Sequence, residues 1–138
     1  MNKRELKLKE YGISEKRYKE LCGFCEQYPE WQKELMCNTD TVGSKTITDM
    51  PVLRRAELKE NKELIEKTLQ QLDDERDESM SMYKYILNSV CYEKPHWYLR
   101  DIMGMPYSRT SFYEARRYFF YLLDRNKRIK FREDMEID

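Results

Sequence analysis

Leu58, Ile65 and Leu72 recur at seven-residue intervals, with Leu64 and Leu69 between them. That interval keeps an apolar seam on one side of a helix, whereas on a strand it would scatter the same residues over both faces. The residues around the seam are Glu, Lys, Gln, Ala and Arg, all good helix formers, with acidic and basic side chains alternating about it. Residues 52–77 therefore predict one long helix. The seam can be buried in two ways, against the chain's own helices or against a second copy as a homodimer. Asn61 falls at a seam position, where a buried polar side chain sets register at a cost in stability.

Only four glycines and four prolines occur in 138 residues, too few for the turns of an all-β protein. The expected class is all-α: an N-terminal helical region (1–37), a polar linker (38–51), the long central helix followed by a short one (52–93), a basic helix-turn-helix (94–132) and an acidic tail (133–138). A short charged helix over 2–10 closes at Gly12, and Ser14 stands where an N-cap belongs. From there Tyr18, Leu21, Cys22, Cys25 and Tyr28 make the stripe of an amphipathic helix over 15–28. Pro29 suits the first turn of a new segment in which Trp31, Leu35 and Met36 take core spacing. In the linker, Thr, Asp, Gly43 and Pro51 replace apolar periodicity. Residues 80–91 present Tyr83, Ile86, Leu87, Val90 and Cys91 on one helical face, ended by Glu93, Lys94 and Pro95.

Net charge is zero, 26 basic against 26 acidic, but the charges are segregated. Residues 57–78 carry a net −5, residues 94–132 a net +7 and the last six −4. A layout of this kind marks a chain with one basic working end. No apolar run approaches the roughly 20 residues needed to cross a bilayer, and the N-terminus is too charged for a signal peptide. The expected location is the cytoplasm, with no membrane partner and free thiols rather than disulfides.

Within the basic segment, residues 96–103 predict a short helix with Trp97, Leu99, Ile102 and Met103 supplying apolar contacts. Gly104 to Tyr107 interrupt it. Ser108 then caps a helix running through Arg125, with Phe112, Ala115, Phe119, Leu122 and Leu123 on the inner face. Thr110, Tyr113, Glu114, Arg117 and Tyr121 fall on the outer one. A short helix, a turn with glycine and a longer capped helix form a helix-turn-helix pattern, whose second helix enters the major groove of duplex DNA with its first turns at base edges. Arg109, Thr110, Ser111, Tyr113, Glu114 and Arg117 are the expected base contacts, since Arg pairs bidentately with guanine and Ser, Thr and Glu have partners of their own. Lys94, His96, Arg100, Ser108, Arg116, Arg125, Lys127 and Arg128 are the expected phosphate contacts, which position without specifying.

The stretches Met82-Tyr-Lys-Tyr-Ile-Leu-Asn-Ser-Val-Cys and Pro106-Tyr-Ser-Arg-Thr-Ser-Phe-Tyr-Glu-Ala-Arg-Arg-Tyr-Phe-Phe-Tyr-Leu-Leu-Asp resemble the C-terminal part of bacteriophage late-gene transcriptional regulators of the RinA/ArpU type. Phe24-Cys-Glu-Gln-Tyr-Pro-Glu-Trp-Gln-Lys-Glu-Leu and the charged helix from Leu53 also look like related phage proteins. The resemblance implies a helix-turn-helix like that of the sigma-factor C-terminal region, with Ser108 to Arg117 as recognition helix and host RNA polymerase as a further partner. It places the protein in the bacterial cytoplasm. Those proteins commonly carry an Ile-Ala pair in the first helix of the motif, where this chain has Gly104 and Pro106 close by, so a shortened supporting helix is expected.

Other chemistry is set aside. Cys22-Gly-Phe-Cys25 is a single half-site for zinc, and on an apolar stripe two cysteines three apart are core residues. That pair lies inside a helix rather than opening one beside a sheet, which argues against thioredoxin-like chemistry. Cys91 and His96 have no third catalytic member. The acidic run 73–78 lacks the glycine and ligand spacing of a calcium loop and reads as a solvated helix end. With no phosphate-binding glycine loop and no nucleophile elbow, neither an enzyme nor a cofactor nor a small-molecule substrate is expected. Two alternatives remain. One is a helical adaptor or inhibitor of a host protein, its acidic stretches mimicking nucleic acid. The other is a packaging component like a small terminase.

Overall fold

The computed structural model describes residues 8–40, 52–76 and 80–136. Among them the chain forms α1 (Glu15–Glu26), α2 (Tyr28–Asp40), α3 (Val52–Glu75), α4 (Tyr83–Val90), a π turn (Tyr98–Ile102) and α5 (Arg109–Glu136), with no strand. The class is all-α.

A helical turn at residues 8–10 leads into α1. It closes on Gly12 at φ +77°, whose N–H donates to the Lys9 carbonyl (2.9 Å) while Ile13 N–H reaches back to Leu8 (3.1 Å). Only a residue free of a Cβ takes that conformation cheaply, and the reversal buries Leu8 and Ile13 together. Ser14 Oγ then accepts from Arg17 N–H at 3.1 Å and caps α1. Residues 2–7 lie outside the described residues.

The predicted stripe divides between two helices: Leu21 and Cys25 are buried on α1, while Tyr28 is buried on α2. On α2, Trp31 is buried and Leu35 half-buried, but Met36 is exposed, a correction to its core spacing. Residues 38–40 continue α2 and are not linker; residues 41–51 lie outside the described residues.

The long seam closes within the chain. Leu58, Ile65, Leu69 and Leu72 are buried where α3 runs along α5 and meets α2 and α4. The leucines and isoleucine that suggested a homodimer through residues 52–77 are thus covered within the chain, with Leu64 half-buried. Polar locks fix how α3 and α5 sit: Asn126 Nδ2 donates to Thr68 Oγ1 and to Gln71 Oε1, both at 3.0 Å, and Thr68 donates to the Leu64 carbonyl at 2.7 Å. From α1, Arg17 Nε donates to Asp124 of α5 at 2.6 Å.

Asp73 is not merely a solvated helix end. Its carboxylate accepts from the Ser81 hydroxyl and from Met82 N–H (2.9 Å), and so ties the entry of α4 to the end of α3. The last helix outruns its expected end at Arg125 and reaches Glu136, because no breaker follows and Lys130 is held by Glu60 (3.0 Å) and Asp134 (3.2 Å). Residues 133–136 belong to that helix and not to a tail. Phe112, Ala115, Phe119, Leu122 and Leu123 are buried as their spacing predicts, and Phe120 joins them.

Candidate nucleic-acid interface

One end of the molecule is built from the segment after α4 and the first turns of α5. After α4 the chain reverses at Glu93 (φ +55°), and Lys94 N–H donates back to the Asn88 carbonyl at 3.0 Å. The supporting segment is short and wound as a π turn: Met103 N–H reaches the Tyr98 carbonyl at 3.1 Å, five residues back. Gly104 at φ +69° carries the chain out, and Met105 N–H donates to the Leu99 carbonyl at 2.9 Å. Ser108 Oγ accepts from Ser111 N–H at 3.1 Å and its carbonyl from Phe112 N–H at 2.9 Å. The predicted cap is in place.

Expected base contacts separate into three groups. Arg109, Thr110, Ser111 and Glu114 are exposed, while Phe112 and Ala115 anchor the same turns from inside. Tyr113 is half-buried, with the Arg109 guanidinium 5.6 Å from its ring centroid and the His96 ring stacked at 6.1 Å. Arg117 is 7% exposed and corrects the expectation: a residue so covered reaches no base edge. The reason is the depth to which α5 is enclosed. Arg117, Phe120 and Asp124 widen its buried side beyond the narrow apolar stripe.

Expected phosphate contacts separate as well. Arg100 is exposed and paired through two contacts with its neighbour Asp101, at 2.8 and 3.1 Å. Lys94 is half-buried with its ammonium 4.7 Å from the Tyr98 ring centroid, and Ser108 is exposed beside its cap. His96 is half-buried with Nε2 enclosed and unbonded; burial, then the charges of Arg109 and Arg100, lower its pKa, so it is neutral at pH 7. Arg116 is a correction. It donates to Ser89 Oγ (3.0 Å) and Tyr18 Oη (2.8 Å) and lies over the Phe120 ring, tying α5 to α1 and α4. Lys127 is half-buried over the Phe24 ring, and Arg128 donates to Asp124 at 3.1 Å; both face the α1 side. Arg125 is exposed, but roughly 24 Å along the helix from Arg109 at 1.5 Å per residue. The basic run therefore divides. Lys94, Arg100 and Arg109 share one end, and Lys127 to Arg132 lie at the other.

Two residues at the first end were missed as surface. Trp97 is 55% exposed and Ile102 62%, whereas an ordinary short helix would turn them inward. The π turn changes the register, so that only Leu99 of that segment is buried and Met103 half-buried. Cys22 and Cys25 offer no reactive thiolate: a hydrogen bond with Cys91, then burial, push the Cys25 thiol well up, and burial raises Cys22. No helix among the described residues is long and apolar enough to cross a membrane. Comparison with family models, with curated proteins and with solved structures finds no match to this chain.

Proposed function

We propose that this protein is a DNA-binding regulator that docks duplex DNA with the capped start of α5. The observation that carries the reading is the exposure of Arg109, Thr110, Ser111 and Glu114 on a turn anchored by Phe112, with Lys94 and Arg100 flanking it. Arg109 has no carboxylate partner among the described residues and rests only on Tyr113, so its guanidinium edge is available to a guanine. Lys94 and Arg100 are placed for phosphates, and Arg100 exchanges an exposed, solvent-screened pair with Asp101 for the backbone. By resemblance to phage late-gene regulators, host RNA polymerase is the further partner, in the bacterial cytoplasm.

Titration of labelled duplex DNA, read by anisotropy, tests this. With Lys94 and Arg100 on phosphates, log affinity should fall against log salt with a slope of about −2. Arg109→Ala should cost about 1–3 kcal/mol and relax sequence choice at one position. Unchanged binding by Arg109→Ala together with Lys94→Ala removes the assignment. A second reading rests on Trp97 and Ile102, exposed beside the same cations. An adaptor would use that apolar pair to hold a host protein, and Trp97→Ala would then abolish capture while a flat salt response excluded DNA.

A further inference from the structure

At the opposite end, α1, α3 and the last turns of α5 line an open cleft of about 810 Å³. Leu64 and Phe131 give it an apolar wall, and Arg17, Lys127, Arg128 and Arg132 bring cations to it. Most of its charges are matched. Arg17 spends Nε on Asp124 and one terminal nitrogen on Glu20 (3.2 Å), and Lys130 lies between Glu60 and Asp134.

Lys127 is different. Its ammonium lies 3.5 Å from the centroid of the Phe24 ring, its side chain is half-buried, and no carboxylate of the described residues stands within 4.0 Å. Burial, then the like charges of Arg17 and Lys130, hold its pKa below the usual ammonium value, against a weaker opposing pull from Glu20, whose carboxylate also lines the cleft. A partly desolvated cation beside other cations, seated on a ring and with no carboxylate in direct contact, is an unfavourable arrangement that an incoming anion relieves. Arg128 donates to Asp124 through Nε, which leaves its terminal nitrogens for a second anionic group.

We propose that this cleft binds a small ligand bearing two or more linked phosphates, with Lys127 Nζ at the centre and Arg17 and Arg128 on either side. One phosphate leaves most of the cleft empty, whereas a pocket of this volume suits a ligand of nucleotide size. Lysine serves as the point charge for a phosphate, and the arginines supply directed donors. Leu64 and Phe131 lie where an organic group attached to the phosphates would rest. The site is independent of the DNA-docking end, since Lys127 is about 27 Å along α5 from Arg109 at 1.5 Å per residue.

Calorimetric titration of the full chain with pyrophosphate, ATP and adenosine at physiological salt tests it. Pyrophosphate and ATP should saturate below about 1 mM and adenosine should not. Equal affinities identify an inorganic polyphosphate site, and tighter ATP a nucleotide site. Lys127→Met keeps the stem over Phe24 and should weaken both phosphates about 10- to 100-fold, the equivalent of one charge-assisted hydrogen bond. Lys127→Arg should retain binding, and Arg109→Ala should leave it unchanged. No saturation by either phosphate, or a Lys127→Met curve matching the parent, overturns the proposal. So does duplex DNA that displaces ATP from the parent and loses affinity in Lys127→Met, because Lys127 would then belong to a DNA surface.

Discussion

Asp124→Asn isolates the contact that ties the first helix to the last. Asp124 has a side chain only 10% exposed and accepts from Arg17 Nε at 2.6 Å and from Arg128 Nε at 3.1 Å. The two partners differ in how much water they see: Arg17 is 25% exposed and Arg128 62%. A charge-assisted hydrogen bond in the sheltered geometry of Arg17 contributes about 1.5–3 kcal/mol. The Arg128 pair is screened and contributes under about 0.5 kcal/mol. Asparagine keeps the shape and one acceptor oxygen but removes the charge, leaving Arg17, Lys127 and Arg128 facing one another. The expected loss is about 2 kcal/mol, which lowers the urea midpoint by roughly 1 M at an m-value of about 2 kcal/mol/M. A double-mutant cycle with Arg17→Met should give a coupling of about 1.5 kcal/mol, and one with Arg128→Met less than about 0.5. If the Arg17 cycle falls to the value of the Arg128 cycle, the bond behaves as an exposed ion pair and the reasoning from burial is refuted.

Two further perturbations probe the DNA-docking end. Ser108→Ala removes the cap of α5 and should cost about 1 kcal/mol by chemical denaturation, with a larger effect on amide protection at 109–112 than elsewhere; Ser108→Gly should restore most of it, and equal losses for both would point away from capping. His96 has its folded pKa lowered by burial and by Arg109 and Arg100, so between that value and about 6.5 the unfolded chain binds the extra proton. Stability from this residue is accordingly steady above about pH 6.5 and declines as pH falls below it. Denaturation midpoints at pH 7.5 and 5.5, for the parent and for His96→Gln, should show the decline only in the parent, and a parent that gains stability from this residue on acidification contradicts the assignment.

Local signals were legible in the sequence. The Ser14 and Ser108 caps, the Gly12 reversal, and the buried faces of α3 and α5 each follow from a handful of neighbouring residues, because capping and helical periodicity act over one to three turns. Failures fall where distant parts of the chain meet. Arg116 and Arg117 have outward-looking chemistry, yet one is bound to Ser89 and Tyr18 and the other is covered. Trp97 and Ile102 look like core and are surface, since a π turn breaks the period on which the reading relied. Helices without a breaker ran on: α2 to Asp40 and α5 to Glu136.

From its sequence alone this chain is all-α, with a capped helix beginning at Arg109 and a seam that needs a partner, because backbone hydrogen bonding and the helical period are local. Tertiary structure decided that α2, α4 and α5 are that partner, and that the basic run serves two separate ends. Which cations stay open depends on carboxylates and rings brought from far along the chain, as Asp124 to Arg17 and Phe24 to Lys127. Charge counts along a sequence carry no record of those meetings.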